Sequence, residues 1–382
     1  MKKTADAVII GGGVNGVSIA YNLARRGLTD ICVIERNFLA SGSTGRCGAG
    51  VRAQWGTEMN LRMAMAAVRM FENMNEELAY DDDIEFNQGG YLLLAYTDAG
   101  WEQFQKNVVL QRAHGLSVDL LTPEEAKEVV PHMNIDQLLG ATFCPTDGHC
   151  NPFKVTDAYA KAARRLGVQI YTNTTVTAIR RTGDKIDGVE TNRGFISTPI
   201  VVNAAGGYSQ DIAAMVDLAI PTHPERHQIL ITEPVEHMQG PMVMSFHHNL
   251  YCQQTPHGSF LMGLGDPNEQ PGYNIEASWQ FLQEMAAKIT WLLPPLRDIR
   301  VVRQWAGLYN MTPDATPILG PVDEVPGLFL AVGFSGHGFM LSPIVGVLLA
   351  ESILGQETEL PISPMGLGRF ARGELFKEPA VV

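Results

Sequence analysis

Four apolar, mostly β-branched residues, Ala7 to Ile10, run into the turn Gly11-Gly12-Gly13-Val14-Asn15-Gly16. Apolar positions at helical spacing follow from Val14 to about Arg26. Gly27 stops that helix, and a second apolar run, Ile31 to Ile34, ends at Glu35. The pattern predicts strand, turn, helix and strand, with Gly11, Gly13 and Gly16 in the dinucleotide spacing. Gly11 permits the tight turn, Gly13 lets the backbone approach a pyrophosphate, and Gly16 lets the helix pack on the strand. The open amide end of the helix favours phosphate. Glu35, about twenty residues on, suits a ribose diol. The unit predicts an ADP-containing cofactor without choosing between FAD and NAD.

Further along, residues 58–80 predict one long helix in which Met63, Met65, Met70 and Met74 fill core space. Residues 86–96 predict a strand–turn–strand about Gly89-Gly90, and residues 101–114 a helix ended by Gly115. Thr122-Pro123-Glu124-Glu125 reads as a capping-box helix start. A helix over 152–166 is followed by short strands at 169–171, 175–180, 186–191 and 194–197. A buried strand at 200–203 then enters the small-residue turn Ala204-Ala205-Gly206-Gly207. Residues 226–246 and 250–265 alternate as antiparallel strands of a second sheet. An amphipathic helix over 277–292, strands at 299–309 and 328–332, and a helix opened by Gly333-Phe334-Ser335-Gly336-His337-Gly338-Phe339-Met340 complete the chain.

The 382 residues, 45% apolar and 18% charged, fit one large globular domain or two interwoven ones. A net charge of −13 argues against nucleic acid and anionic membranes as partners. Five cysteines with no Cys-x-x-Cys pair argue against a disulfide framework and point to a reducing cytoplasm. The apolar run after Met1-Lys2-Lys3 is too short for a signal peptide, and residues 339–354, broken by Pro343 and Glu351, are too short to span a bilayer. Cys144, Asp147, His149 and Cys150 crowd one stretch but share neither a helix face nor a ligand spacing, so no metal is expected. The small-sided stretch 37–55 reads either as a mobile surface loop or as a wall for a large flat ligand; its place directly after Glu35 favours the wall.

Five motifs occur in a telling order: the glycine-rich start, Ser41-Gly42-Ser43, Asn203-Ala204-Ala205-Gly206, Thr312-Pro313-Asp314, and Gly333-Phe334-Ser335-Gly336-His337-Gly338. In that order the chain resembles FAD-dependent amine oxidoreductases of the D-amino-acid oxidase/sarcosine oxidase group. Arg46-Cys47-Gly48 through Arg52-Ala53-Gln54, with Gly336 to Met340, carry a nearer likeness to the β subunits of L-proline dehydrogenases and sarcosine oxidases. The resemblance implies an α/β fold, α+β overall: a Rossmann-like FAD-binding domain with an inserted antiparallel-sheet substrate domain. The expected division is 1–85, 142–220 and 303–382 for FAD, and 86–141 and 221–302 for substrate.

The resemblance further implies oxidation of the Cα–N bond of a small amino acid or secondary amine of the proline, hydroxyproline or sarcosine type, by hydride transfer to flavin, giving an imine. A glycine or primary D-amino-acid oxidase, a non-catalytic flavin-binding assembly protein and an NAD-dependent dehydrogenase are the rivals. Candidate cofactor contacts are Gly11, Gly13, Val14, Asn15, Gly16, Glu35, Arg36, Ser41, Ser43, Thr44, Arg46, Cys47, Gly48, Val176, Ala204, Gly206, Gly307, Gly336, His337, Gly338, Phe339 and Met340. The last turn would set N–H groups and a helix dipole near the flavin pyrimidine edge. Arg52 matches a carboxylate-binding arginine of relatives, against an ion-pair alternative; Arg46 is a second candidate. Tyr251 matches a substrate-touching tyrosine, against a core role, and His337 either serves the site or braces its loop. Met340 replaces the carboxylate-binding lysine of several relatives. Gly307 replaces the cysteine that others bond to FAD, which implies non-covalent FAD. Likeness to β subunits implies an α subunit or other electron-accepting partner, with an FMN shared between the two.

Overall fold

The first helix, Val14–Arg25, is buried at Val14 and from Gly16 to Ala24 because two others cover it, Pro152–Arg165 and Ser342–Ile353. Residues from both ends and the middle of the chain therefore build one layer. In this computed structural model, which describes residues 1–379, that layer lies on a six-stranded sheet. Its strand order is Ile318–Pro321, Leu328–Val332, Val201–Asn203, Ala7–Ile10, Ile31–Ile34 and Gln169–Tyr171, parallel throughout except for the first. Ile9 and Val33 face the helices, while Val8, Ile10, Cys32 and Ile34 face an antiparallel meander of Val176–Thr182, Lys185–Thr191 and Gly194–Ser197. Burial on both faces explains the unbroken apolar runs.

The second large sheet has eight strands, in the order Val301–Met311, His223–Pro234, Ser259–Leu264, Leu250–Gln254, Met242–Ser245, Tyr91–Ala95, Gly140–Cys144 and Asp119–Leu121. All neighbours are antiparallel except Met242–Ser245 with Tyr91–Ala95. Period-2 alternation separates its faces. Leu92, Leu94, Val243, Cys252 and Leu230 pack with the helix Trp279–Leu292, whereas Tyr91, Leu93, Met242, Met244, Tyr251 and Ile229 form the other face.

Several expectations change. The division expected between residues 302 and 303 falls inside Val301–Met311, and that expected at 142 falls inside Gly140–Cys144; both strands belong whole to the eight-stranded sheet. Residues 380–382 of the expected FAD segment lie outside the described residues. The helix expected over 58–80 is two, Glu58–Glu72 and Met74–Glu77. Between them the Asn73 side chain donates to Arg69 O at 2.7 Å, competing with the helical ladder. Residues 86–90 form no hairpin strand: Asn87 bridges His149, and Gly90 N donates to Asp147 O. The capping box at Thr122 and Glu125 is present.

The start of Glu58–Glu72 is held from far away. Glu378, near the end of the chain, accepts from Gly56 N, Thr57 N, Thr57 Oγ1 and Asn60 Nδ2 at 2.6–3.1 Å. A carboxylate there satisfies orphan amides and matches the helix dipole. Among the described residues no helix is long and apolar enough to cross a membrane, and all five cysteines are free thiols.

Candidate functional site

The glycine turn after Ala7–Ile10 is shaped by close approach. Gly11 has φ +119°, and a Cβ there would lie 2.3 Å from Ala204 O. A Cβ on Gly16 would lie 2.0 Å from Gly11 O. Gly13 begins the helix without a side-chain cap of its own, so apart from Val14 N the first-turn amides are left to the groove. Val14 N donates to Thr44 Oγ1 at 3.2 Å. Glu35 accepts from Gly12 N and Asn37 N, both at 2.8 Å, with Ser41 Oγ at 3.4 Å. Arg36 lies 3.6 Å over the Tyr208 ring, one turn beyond Ala204 and Gly206, and Val176 is buried at the head of its strand.

The loop after Glu35 is tied to the eight-stranded sheet. Ser43 Oγ donates to Leu308 O at 2.6 Å, and Trp305 Nε1 donates to Arg46 O at 3.1 Å. Arg46 donates to Ser41 O and Ala306 O, which makes it a brace of this loop. Gly307 lies across from it, where a Cβ would stand 3.0 Å from Arg46 Cβ. Cys47 Sγ contacts Thr44 O at 3.0 Å, and burial pushes its thiol up to about 12, so it stays protonated. Gly48 O accepts from Gln253 Nε2.

The two ends of the chain meet where Asn15 Nδ2 donates to Gly338 O at 3.0 Å. Asn15 Oδ1 is buried with no hydrogen-bond partner. The Gly333–Gly338 turn is fixed by Asn310, which accepts from Gly333 N through its side chain and from Ser335 N through its carbonyl. The helix expected after this turn begins only at Ser342, so its amide end is not at Gly336 and Gly338 as expected, and a short helix, Arg369–Arg372, follows it; Phe334 to Leu341 form turns before Ser342. Phe339 stacks on Phe71, with centroids 5.7 Å apart.

Between the two sheets lies a cleft enclosing about 590 Å³ of empty space, part of it open to solvent. Residues 47–50, Arg52, Ser335 to His337, Phe339 and Met340 line one side; Tyr91, Met242, Met244, Tyr251 and Tyr309 line the other. Arg52 is 3% exposed, donates through Nη1 to Gln54 O at 2.9 Å and lies 4.3 Å over the Trp55 ring. His337 meets the same indole edge-on at 4.8 Å. Burial, aided by the Arg52 charge, pushes His337 down to about 3, so it is neutral. Its Nε2 is buried without a partner. On the opposite wall the Tyr251 and Tyr309 rings each stack on His227, which lies behind the lining, with centroids 5.7 and 4.4 Å apart. Burial pushes the phenols up and His227 down to about 4, leaving the stack uncharged.

Sequence reasoning missed Tyr91, His227, Met242, Met244 and Tyr309. Parity on the strands could have grouped them, since Met242 pairs with Tyr91 and Met244 with Tyr251. Among the described residues, no group of three or more His, Cys, Asp and Glu side chains is placed to hold a metal. Asp147 instead bonds Ala53 N and Gln54 Nε2.

The groove from Glu35 to the cleft fits an adenine dinucleotide carrying a flat ring. It offers an open helix end, glycines whose Cβ would fill the path, and the orphan acceptor Asn15 Oδ1 for a hydroxyl donor. Gly16→Ala is therefore expected to lower cofactor retention about tenfold, since overpacking of this kind costs about 1–3 kcal/mol. The flavin-to-protein absorbance ratio checks this, with circular dichroism unchanged.

Comparison with known proteins agrees with this geometry. The FAD dependent oxidoreductase family matches residues 6–352. The chain is 32% identical to a sarcosine oxidase subunit beta of Arthrobacter sp, over 99% of this chain and 94% of that one. The crystal structure of L-proline dehydrogenase from P. horikoshii superposes with a TM-score of 0.94 at 39% identity, covering 98% of this chain and 100% of that one. Glycine oxidase from Geobacillus kaustophilus superposes with a TM-score of 0.88 at 25% identity, covering 96% and 99%.

Proposed function

We propose, from the premise that the chain belongs to the family of FAD dependent oxidoreductases, that it oxidises the Cα–N bond of a small secondary amino acid of the proline, hydroxyproline or sarcosine kind. FAD is the cofactor; when bound it supplies the two-electron acceptor, and the protein supplies binding, orientation and electrostatics. Gly11, Gly13, Val14 and Gly16 would take the pyrophosphate, Glu35 the ribose, and Asn15 a hydroxyl nearer the ring. With Gly307 facing Arg46 and Cys47 held as a thiol, attachment is non-covalent.

One observation carries the substrate reading. Arg52 is the only charged side chain among the described residues that line the cleft. A guanidinium there orients a carboxylate by paired hydrogen bonds. No lining carboxylate stabilises an ammonium, and the Arg52 charge disfavours one, so the amine binds neutral. Its nitrogen lone pair is then available as the Cα–N bond is oxidised, without a protein base. The Tyr251 and Tyr309 rings and the thioethers of Met242 and Met244 on one side, with Met340 on the other, give the apolar remainder of the substrate an uncharged, largely apolar lining. His337, neutral and packed on Trp55, presents an imidazole nitrogen without adding charge.

The cleft would have to hold the substrate beside the cofactor ring, which favours a small substrate. The name of the Arthrobacter relative, a subunit beta, supports an α-type partner that takes electrons onward. Anaerobic mixing with a panel of amines tests the reading. Proline, hydroxyproline or sarcosine should bleach the flavin band near 450 nm, and glycine or a D-amino acid should do so more slowly. A panel that leaves the band intact, with and without a partner subunit, refutes it.

A further inference from the structure

Asp147 takes no part in the reading above, yet it is the acid built into the backbone beside Arg52. It is 0% exposed and sits in the turn between Gly140–Cys144 and Gly148–His149. The second of these strands pairs antiparallel with Gly50–Val51, Gly50 facing His149 and Val51 facing Gly148. That two-residue ribbon brings the turn under residues 52–54. One carboxylate oxygen accepts from Ala53 N at 2.8 Å, the other from Gln54 Nε2 at 3.1 Å. Gln54 Nε2 also donates to Tyr91 O at 3.0 Å, and Gln54 Oε1 accepts from Thr142 Oγ1 at 2.7 Å. Gln54 O in turn accepts from Arg52 Nη1. The chain of bonds runs from the eight-stranded sheet through Asp147 and Gln54 to the guanidinium.

We propose that Asp147 is a positioning residue for substrate carboxylate binding, acting with Gln54 and Thr142 to hold residues 52–54 so that the Arg52 guanidinium points into the cleft. The proposal rests on the reading of Arg52 as the carboxylate-binding cation. The acid is needed as an anion with two acceptor oxygens. Burial pushes its carboxyl up to about 6, against the pull of its hydrogen bonds and of Arg52, so the fold holds a charge that its surroundings disfavour. Tyr91 and Cys144 are the other titratable groups in its field. An asparagine has the same shape, but its NH₂ would face either Ala53 N–H or the Gln54 NH₂, donor against donor. Gln54 must then turn and give up Tyr91 O or Thr142, or Ala53 N loses its acceptor, and either way the backbone of residues 52–54, whose Gln54 carbonyl holds Arg52, loses part of its clamp.

The test uses the FAD-loaded full chain and two readouts. One is the KM and kcat of whichever amino acid bleaches the flavin. The other is the Kd of pyrrole-2-carboxylate, which carries the carboxylate without an oxidisable amine, read from its perturbation of the flavin spectrum. Asp147→Asn should raise KM and Kd about tenfold while kcat at saturation falls less than threefold. Thr142→Val, a smaller change in the same relay, should raise both about threefold, and it decides the matter if Asp147→Asn fails to retain flavin. In an Arg52→Gln background neither change should add to the loss. Three outcomes overturn the proposal: Kd within twofold of the parent in both variants, equal losses of kcat and flavin content with no KM split, or undiminished effects without Arg52. If Arg52→Gln itself leaves Kd unchanged, the reading of Arg52 falls and the proposal with it. If Arg52→Gln weakens binding and the other two do not, only the role of Asp147 falls.

Discussion

Arg52→Ala is expected to raise the KM for the amino-acid substrate at least about thirtyfold, with a much smaller fall in kcat. The side chain is almost wholly buried, stacked on Trp55 with Phe246 5.7 Å away, so a carboxylate beside it is shielded from water. Truncating one partner of such a charge pair costs about 2–5 kcal/mol, and 1.4 kcal/mol is a factor of ten. The loss falls on KM because the carboxylate contact is made equally in the bound substrate and in the transition state. Arg52→Lys should lie between, since a lysine keeps the charge but loses the planar fork. The measurement is initial rate against substrate concentration, with flavin content as the control for folding. A KM within threefold of the parent for both variants would remove Arg52 from the site.

Arg369→Ala is expected to cost about 3–5 kcal/mol of stability, the scale for removing one partner of a buried ion pair. Arg369 and the Asp314 carboxylate are fully buried and joined by two bonds, Nε to Oδ2 at 2.8 Å and Nη2 to Oδ1 at 2.9 Å. The same guanidinium donates to Met365 O and Thr316 O. The pair therefore pins the segment around Arg369 to the Thr312-Pro313-Asp314 turn. Truncation strands a carboxylate in the interior, whereas Arg369→Met with Asp314→Leu should recover part of the loss. The urea midpoint at saturating FAD reads the difference, and a shift equivalent to less than 1 kcal/mol would contradict it. The pair also sets an acid limit. Burial alone would raise the Asp314 carboxyl, but the Arg369 bonds outweigh it and hold it below the ordinary value of 3.8. Its stabilisation is thus present above that value and disappears as pH falls through the lowered one.

The tail has a second consequence of the same kind. Glu378 closes the start of Glu58–Glu72, while the Thr57 side chain supplies no cap. Nothing near Thr57 in the sequence announces a partner more than three hundred residues away. Likewise the Thr312-Pro313-Asp314 motif shows a turn, and only the packed chain shows that its acid is answered by Arg369.

The local grammar of the chain was strong enough to stand alone in places. Ala7–Ile10, Ile31–Ile34 and Leu328–Val332 are the predicted strands, because four or five apolar residues bounded by glycine or charge admit no other buried form at that length. The Thr122 capping box was legible for the same reason, all of its bonds lying within three residues. Where a side chain could choose between its own helix and a distant partner, local pattern failed. Asn73 broke a helix that its neighbours continued, and the turns after Gly338 delayed the helix that follows them to Ser342.

What the sequence by itself determined was the cofactor class and the two-sheet plan, because glycine spacing and apolar period are short-range constraints that the backbone must obey. The working surface was decided by tertiary structure alone. Its walls come from residues 47–50 and Arg52, from Tyr91, Met242, Met244, Tyr251 and Tyr309, and from Ser335 to His337 with Phe339 and Met340, which meet only when the eight-stranded sheet closes on the glycine-rich loops. Asp147 shows the difference most plainly. Read along the chain it is one of four crowded metal-type ligands; in the fold its carboxylate turns to Ala53 N and Gln54, because a buried charge is held by whichever donors the packing brings within reach.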